Sequence, residues 1–501
     1  MSMPAESPIP SFSNPIEGIA LGDPFVLPHR GRFYLYGTAD GPGPGDGRVI
    51  PVYRSDDLLN WTPLGGALVP AEGEPADYWA PEVMAWNGKF YMVVSFGDVE
   101  RRGHALWVAV ADDPAGPFHL RTQISDPSEK FSIDGSWLLD DDGRLYLFRC
   151  LDFVEDGQPP HGTGIVAQPM RDPLTPEGPP VPILRAHSPW QLFQSDRTMP
   201  LYDNRRFESW NTIEGPAPVR RHGRYFCGYS GGNYTGAYGT GEAVADAPLG
   251  PYTDLRGREG PIFGTVPGLV EGPGHFSVVR PDLVHDWIVL HGRRPGEHVR
   301  RVWLCPAFWD AGGVTIGRLT DQPQTAPPLP SDRSRFAPGV KPEGWTFESG
   351  EWSTVDDGLA SHAGLASGLA WRDALDLVDD FAVEIWVRFS SAGSGRAGMI
   401  LRSEAGNLSI LLPASPDSPA LIGGTEGAVT DAPLPTLGGA SFDPTCFHRI
   451  DVRAGGGTAE VRLDGVILAA GVTVPRGRIK LGLMAEGPAI FDAISATRVV
   501  A

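Results

Sequence analysis

The residues best suited to chemistry in this chain are acidic side chains at the openings of a repeated strand pattern. Asp23 opens DPFVLPHRGRFYLYG, Asp134 stands in IDGSWLLDDDGRLYLF, and Glu214 opens EGPAPVRRHGRYFCGYS. Glu82 and His275 hold related places in APEVMAWNGKFYMVVS and GPGHFSVVRPDLVHDWIVLHG. Carboxylates brought together can divide acid–base work, an ionised one accepting a proton and a protonated one donating it. Each also has a structural reading. Asp-Pro is a common turn opener, and Glu-Gly-Pro recurs at Glu177-Gly178-Pro179 and Glu271-Gly272-Pro273. Glu214 is preferred to Glu271 because it precedes its hairpin at the offset of Asp23 and Asp134, whereas His275 takes that place in the fifth segment. Glu82 reads as a positioning or buried hydrogen-bonding residue.

The elements that must position these side chains are hairpins. Each segment runs as a short strand, a turn such as His-Arg-Gly-Arg, Asn-Gly-Lys, Asp-Gly-Arg or His-Gly-Arg, and a returning strand of alternating apolar and aromatic residues. The fifth segment lacks the Gly-Arg/Lys turn. A third strand follows in most units, and the parallel endings ADDPAGPF and ADAPLGPY show a shared plan. Five such antiparallel units protect their edges by closing into a ring, which predicts an all-β fold with a five-bladed β-propeller over residues 1–320. The innermost strands then line the axis, and Asp23, Glu82, Asp134, Glu214 and His275 converge at one mouth.

The Pro- and Ala-rich stretch at 321–343 reads as a linker or strap. From 344 to 501, runs such as FAVEIWVRF, HRIDVRA and RIKLGLMA alternate with period two, predicting a β-sandwich of jelly-roll type. Trp386 falls on the more polar face of its strand, where it meets either a ligand or the propeller.

The motifs Asp23-Pro24, Trp79-Ala80-Pro81-Glu82, Ile133-Asp134-Gly135 leading to Asp141-Asp142-Gly143, Glu214-Gly215-Pro216 and Pro273-Gly274-His275 come in one order along the repeat. In this the chain resembles the family 43 glycoside hydrolases, which include arabinofuranosidases, xylosidases and arabinanases. The resemblance covers residues ~15–320 and implies three axial carboxylates; the C-terminal part resembles the concanavalin-like module many members carry. Inverting hydrolysis of a glycosidic bond needs a carboxylate base and a carboxylic acid ~6.5–9.5 Å apart. Asp23 is assigned as the base and Glu214 as the acid, with a raised pKa. The resemblance makes Asp134 the modulator, a nearby negative charge that disfavours ionisation of Glu214.

Three further residues are expected to bind substrate. Trp79 stacks on a sugar or packs in the core. His275 hydrogen bonds to substrate or catalyst, with an axial calcium as the minor alternative; no cofactor is otherwise expected, and no metal ligand is assigned. Arg293, or its neighbour Arg294, resembles the arginine that exo-acting relatives direct at a terminal sugar. Extra sequence falls in AHSPWQLFQSDRTMPLYDNRRFESWN, whose Trp190, Phe193, Tyr202 and Trp210 suit one wall of a groove. A walled pocket favours release of terminal sugars. The leading expectation is an inverting exo-α-L-arabinofuranosidase acting on arabinose- or xylose-containing oligosaccharides. The alternatives are a β-xylosidase and a non-catalytic carbohydrate-binding propeller.

Composition narrows the partners. The 501 residues carry a formal charge of −20, with Gly 64 and Pro 50 supplying turns. An acidic balance repels nucleic-acid backbones and anionic membranes. The start has no basic segment followed by an apolar run, and no uninterrupted apolar stretch suits a span, so the expectation is a cytoplasmic protein. Cys150, Cys227, Cys305 and Cys446 are scattered and read as free thiols.

Overall fold

The computed structural model describes residues 10–499, apart from 41–42, 74–76, 99–102, 155–156, 257–258, 363–366, 379, 425–429 and 437–439. Among these the structure is all-β, with two single-turn 3₁₀ segments, Pro189–Gln191 and Pro200–Tyr202, and no α-helix.

Residues 21–316 form five sheets in chain order, antiparallel but for one parallel pairing in the third. The first, second and fifth have four strands each, the fourth has five and the third has seven. Their opening strands are Leu21–His29, Asp77–Trp86, Ser132–Leu139, Ile213–Arg221 and Glu271–Val279. Each of these touches the next, and the fifth touches the first, so the sheets stand in a propeller-like arrangement about a shared axis. The hairpin turns follow from local chemistry. Arg30-Gly31, Asn87-Gly88 and His222-Gly223 take positive φ at both residues (48° and 66°, 46° and 75°, 52° and 73°), which matches the twist of the strands they join. The fifth sheet turns instead through Pro281–His285, where the Asp282 carboxylate accepts the amides of Val284 and His285. The chain start seals the arrangement. Ser11–Phe12 pairs with Gln324–Thr325, and Asn14 exchanges two hydrogen bonds of 2.8 Å with the backbone of Leu304.

The extra sequence of the third sheet forms a hairpin, Leu192–Met199 with Arg205–Asn211, joined to it by parallel pairing of His161–Gly162 with Trp210–Asn211.

The remaining strands form two sheets of eight and seven strands packed over one core. Within the predicted strap, Asp332–Ser334 pairs with the strand Ala489–Arg498 and so belongs to the eight-stranded sheet. Phe381, Val383, Ile385, Val387 and Phe389 face that core. Trp386, on the other face, is 5% exposed, because it lies edge-on to His29 at 4.7 Å, below the first sheet. The sandwich thus packs against the hairpin-turn ends of the sheets. Arg30 reaches Asp492, Asn87 donates to the Ser441 carbonyl, and the Asp141 carbonyl accepts the Ile467 amide.

Candidate active site

Each opening strand breaks register at its axial end. The slips fall between Gly22 and Phe25, Trp79 and Glu82, Ile133 and Ser136, Glu214 and Ala217, and Gly274 and Ser277. Inside each bulge one residue takes left-handed backbone: Asp23 (φ 50°), Ala80 (44°), Asp134 (55°), Gly215 (57°) and His275 (48°). Such geometry costs about 1–3 kcal/mol for a non-glycine residue, and a bulge re-aims a side chain out of the ladder. Asp23, Asp134 and His275 therefore hold equivalent places. Glu214 does not share them as its offset implied; Gly215 stands there, and Glu214 precedes it by one residue. A Cβ on Gly215 would lie 3.0 Å from the His275 ring, so any other residue there would need that ring to give way.

The three carboxylates meet in one cavity of about 360 Å³ with Trp79 and His275. Asp23 is held by its neighbours. Arg300 Nη1 lies 2.9 Å from Oδ1 and 3.0 Å from Oδ2, and the Thr38 hydroxyl donates to Oδ2 at 2.6 Å. His275 Nδ1 stands 3.2 Å from Oδ1, and the Asp23 amide donates to His291 Nδ1 at 3.0 Å. Burial alone raises its pKa, but Arg300 first, then His275 and His291, hold it well below the usual carboxylate range. His275 is itself pushed down to about 4, chiefly by burial, so its imidazole is neutral at neutral pH.

Glu214 and Asp134 go the other way. Burial raises Glu214 to about 7; Asp23 adds to this, while a 2.8 Å hydrogen bond from the Tyr238 hydroxyl to Oε1 opposes it. Asp134 is raised well above its ordinary value by burial and then by Glu214 and Asp23, although its Oδ2 accepts the Gly215 amide at 2.9 Å. Burial, rather than Asp134 as expected, is the main cause of the Glu214 shift. The two carboxyls resist full ionisation and titrate as a pair. The site thus holds an ionised carboxylate beside a pair that retains a proton, which suits general base and general acid work in one cavity.

The remaining expectations divide. Trp79 lines the cavity and stacks on His104 at 3.8 Å. Of the four aromatics singled out in the extra sequence, Phe193 and Trp210 line it. Tyr202 instead packs behind Trp210 with its hydroxyl on Asp152, and Trp190 stacks on Tyr229 against the core. Arg293 is a correction. It is 6% exposed, buried near Gly272, and does not line the cavity, while Arg294 pairs on the surface with Glu17. Arg300, seven residues on, carries the charge into the site. Glu82 lies behind it, accepting from the Ser136 hydroxyl at 2.8 Å and the Trp137 amide at 3.1 Å, and burial lifts it to about 8. Glu177 and Glu271 do not line the cavity.

Sequence reasoning missed Arg300, His291, Tyr238 and Thr38. They come from second and third strands or the approaches to them, and no motif marks them. Among the described residues no group of three or more His, Cys, Asp and Glu is arranged to hold a metal, and both oxygens of Asp23, Glu214 Oε1 and Asp134 Oδ2 are engaged by Arg300, Thr38, Tyr238 and the Gly215 amide.

Several known proteins are similar to this chain. The extracellular exo-α-(1→5)-L-arabinofuranosidase of Streptomyces chartreusis is 26% identical over 55% of this chain and 81% of its own length. A β-xylosidase of Xylanibacter ruminicola is 28% identical over 41% of this chain and 65% of its own. The chain spans about half the length of other curated relatives, 46% and 56% in two cases. Among solved structures, a thermostable family 43 glycoside hydrolase matches at TM-score 0.53 and 30% identity over 63% of this chain and 99% of its own. A family 43 protein of Bacillus licheniformis shares the fold across 98% of this chain and 100% of its own, at TM-score 0.50 and 18% identity. The expected cytoplasmic location is corrected by these findings, since the Streptomyces relative is an extracellular enzyme and points away from the cytoplasm. Residues 12–315 match the glycosyl hydrolases family 43, and the chain belongs to that family.

Proposed function

We propose that this family 43 glycoside hydrolase is an inverting exo-enzyme that releases terminal pentose from arabinose- or xylose-containing oligosaccharides, with α-L-arabinofuranosides as its preferred substrates. The observation that carries the reading is the opposed electrostatics of two carboxylates in one cavity, Asp23 held ionised and Glu214 raised to about 7. In this reading Asp23 takes a proton from water as the water attacks the anomeric carbon. Glu214 protonates the departing oxygen from the other face. Asp134 helps the pair retain its proton and orients Gly215, while His275 holds Asp23 in place. Trp79 offers a ring face to the sugar. The hairpin carrying Phe193 and Trp210 walls one side, which supports cutting at a chain end.

The five sheets are read as the five blades of a propeller, residues 1–320, which the ring of contacts among opening strands supports; the sandwich expected from about 344 takes its first strand, Asp332–Ser334, from within the strap. A β-xylosidase remains the second reading, favoured by the Xylanibacter relative. A carbohydrate-binding protein without catalysis needs no opposed carboxylates. The test is a panel of aryl pentosides, followed by the anomeric form of the first product by NMR. Release from the α-L-arabinofuranoside with inversion is expected. Faster release from the β-D-xyloside moves the assignment to xylosidase, and sugar binding with no release from any glycoside overturns it.

A further inference from the structure

A second cavity, of about 800 Å³, lies at the other end of the sheets, between their hairpin turns and the sandwich. Its described lining holds eight arginines and five carboxylates, in a chain whose net charge is −20. The carboxylates are already engaged. Asp286 is shared by two arginines: Arg221 Nε and Nη2 each lie 2.8 Å from its oxygens, and Arg280 Nε lies at 2.7 Å. Asp141 is likewise shared by Arg220 and Arg462, Glu460 is held by Arg462, and Asp451 by Arg449 at 2.9 Å. Glu384, raised to about 7 by burial, accepts from the Trp386 indole.

That leaves Arg453 outnumbered by like charge: the one carboxylate that attracts it, Asp451, is already held by Arg449, while Arg462, Arg221 and Arg449 repel it. This exposed side chain, reaching in from the sandwich, has no hydrogen bond or ion pair among the described residues, and its guanidinium repels those of Arg221 and Arg280. Repulsion lowers Arg280 to about 10, after burial as the larger cause. Two guanidiniums on one carboxylate, with a third beside them, is an arrangement completed by an added anion, since guanidinium groups bind carboxylates bidentately. An aromatic face stands at the same cavity. Phe308 is 59% exposed, the most of any large hydrophobic side chain described. A ring face and spare guanidinium in the lining of one cavity suit a sugar that carries a carboxylate.

We propose that this cavity between the sheets and the sandwich is a binding site for a uronate-bearing glycan chain, with Arg453, Arg221 and Arg280 on the carboxylate and Phe308 against the ring. The site stands on its own geometry; only the choice of a glycan as carrier rests on the proposed function. Binding here would tether the enzyme to acidic side groups of the same polymer whose terminal pentoses it removes.

The test is titration calorimetry on the full chain with three probes: a xylo-oligosaccharide bearing one glucuronic acid, the same oligosaccharide without it, and inorganic phosphate. The acidic oligosaccharide should bind at least tenfold more tightly than the neutral one. Arg453→Gln should remove that preference, and should leave turnover of a neutral aryl pentoside unchanged. Loss of pentosidase activity in the parent protein would sink the proposed function without touching this measurement. Equal binding of acidic and neutral oligosaccharides overturns the inference, as does an acidic preference that survives Arg453→Gln. Phosphate binding as tight as the acidic oligosaccharide, competing with it, reduces the site to a free-anion site and overturns the glycan assignment.

Discussion

The guanidinium of Arg300 reaches the Asp23 carboxylate at 2.9 Å while its other nitrogens grip Asp40 at 2.7 Å, so one side chain ties the axial carboxylate to the loop that follows the first hairpin. The two carboxylates keep Arg300 charged, its pKa raised above the ordinary value against the opposing effect of burial. Arg300 in turn cancels the burial penalty on Asp23, and this sets where the acidic side of the pH profile falls.

Arg300→Gln should therefore raise the Asp23 pKa, because it removes the largest of the influences that lower it. A base is active only when ionised, so the acidic limb of kcat/KM should move to higher pH, and activity near pH 5 should fall more than activity near pH 8. A pH series on an aryl pentoside reads this directly. A uniform fall at all pH values would mean that Arg300 only orients the site.

The Tyr238 hydroxyl stabilises the ionised form of Glu214. Tyr238→Phe should raise the Glu214 pKa above about 7, and the basic limb, where a protonated acid is lost, should move to higher pH. The Tyr238 ring, stacked on His291 at 5.8 Å, is kept in the variant, so the fold should hold. A basic limb at its original position would remove Glu214 from the acid role.

Asp23→Asn and Glu214→Gln should each cost roughly 10²–10⁴-fold in turnover of an alkyl pentoside, whose leaving group needs a proton. With a nitrophenyl leaving group the Glu214 variant should recover much of its loss, and the Asp23 variant none. Equal losses on both substrates would separate neither role and contradict the assignment.

The hairpins and the axial carboxylates were legible because both depend on near neighbours in the chain. Arg30-Gly31, Asn87-Gly88 and His222-Gly223 announce their turns, and Asp23 and Asp134 each sit one left-handed residue inside a strand opening. The partners that tune them were not legible, because a ring of sheets brings together residues remote in sequence. His291 and Arg300 lie in or beside strands of the fifth sheet yet serve an aspartate of the first. Choosing Arg293 failed for the same reason: the strand Asp286–Arg293 presents His291 to the axis, while Arg293, at its end, is buried away from the cavity. Trp190 was misread because a tryptophan in a long insertion fits a wall and a core equally from sequence alone, and only its stack on Tyr229 decides.

The sandwich packs on the turn ends of the sheets, whereas the carboxylate cavity opens at the other ends of the same strands and has no described sandwich residue in its lining. Removing the sandwich should therefore leave the chemistry of the site intact and weaken the fold. A chain ending near Pro330 exposes His29, which packs on Phe90, where Trp386 covered it, and loses the Arg30–Asp492 ion pair. Trp386→Ala in the full chain is the milder version, and removal of a buried tryptophan costs about 3–5 kcal/mol. Both variants should melt at lower temperature, the truncated one with poor solubility, while KM for a small aryl pentoside stays near that of the parent. A soluble truncated chain with unchanged melting and a deficit confined to polymeric substrate would show instead that the sandwich serves binding and contributes nothing to the stability of the sheets.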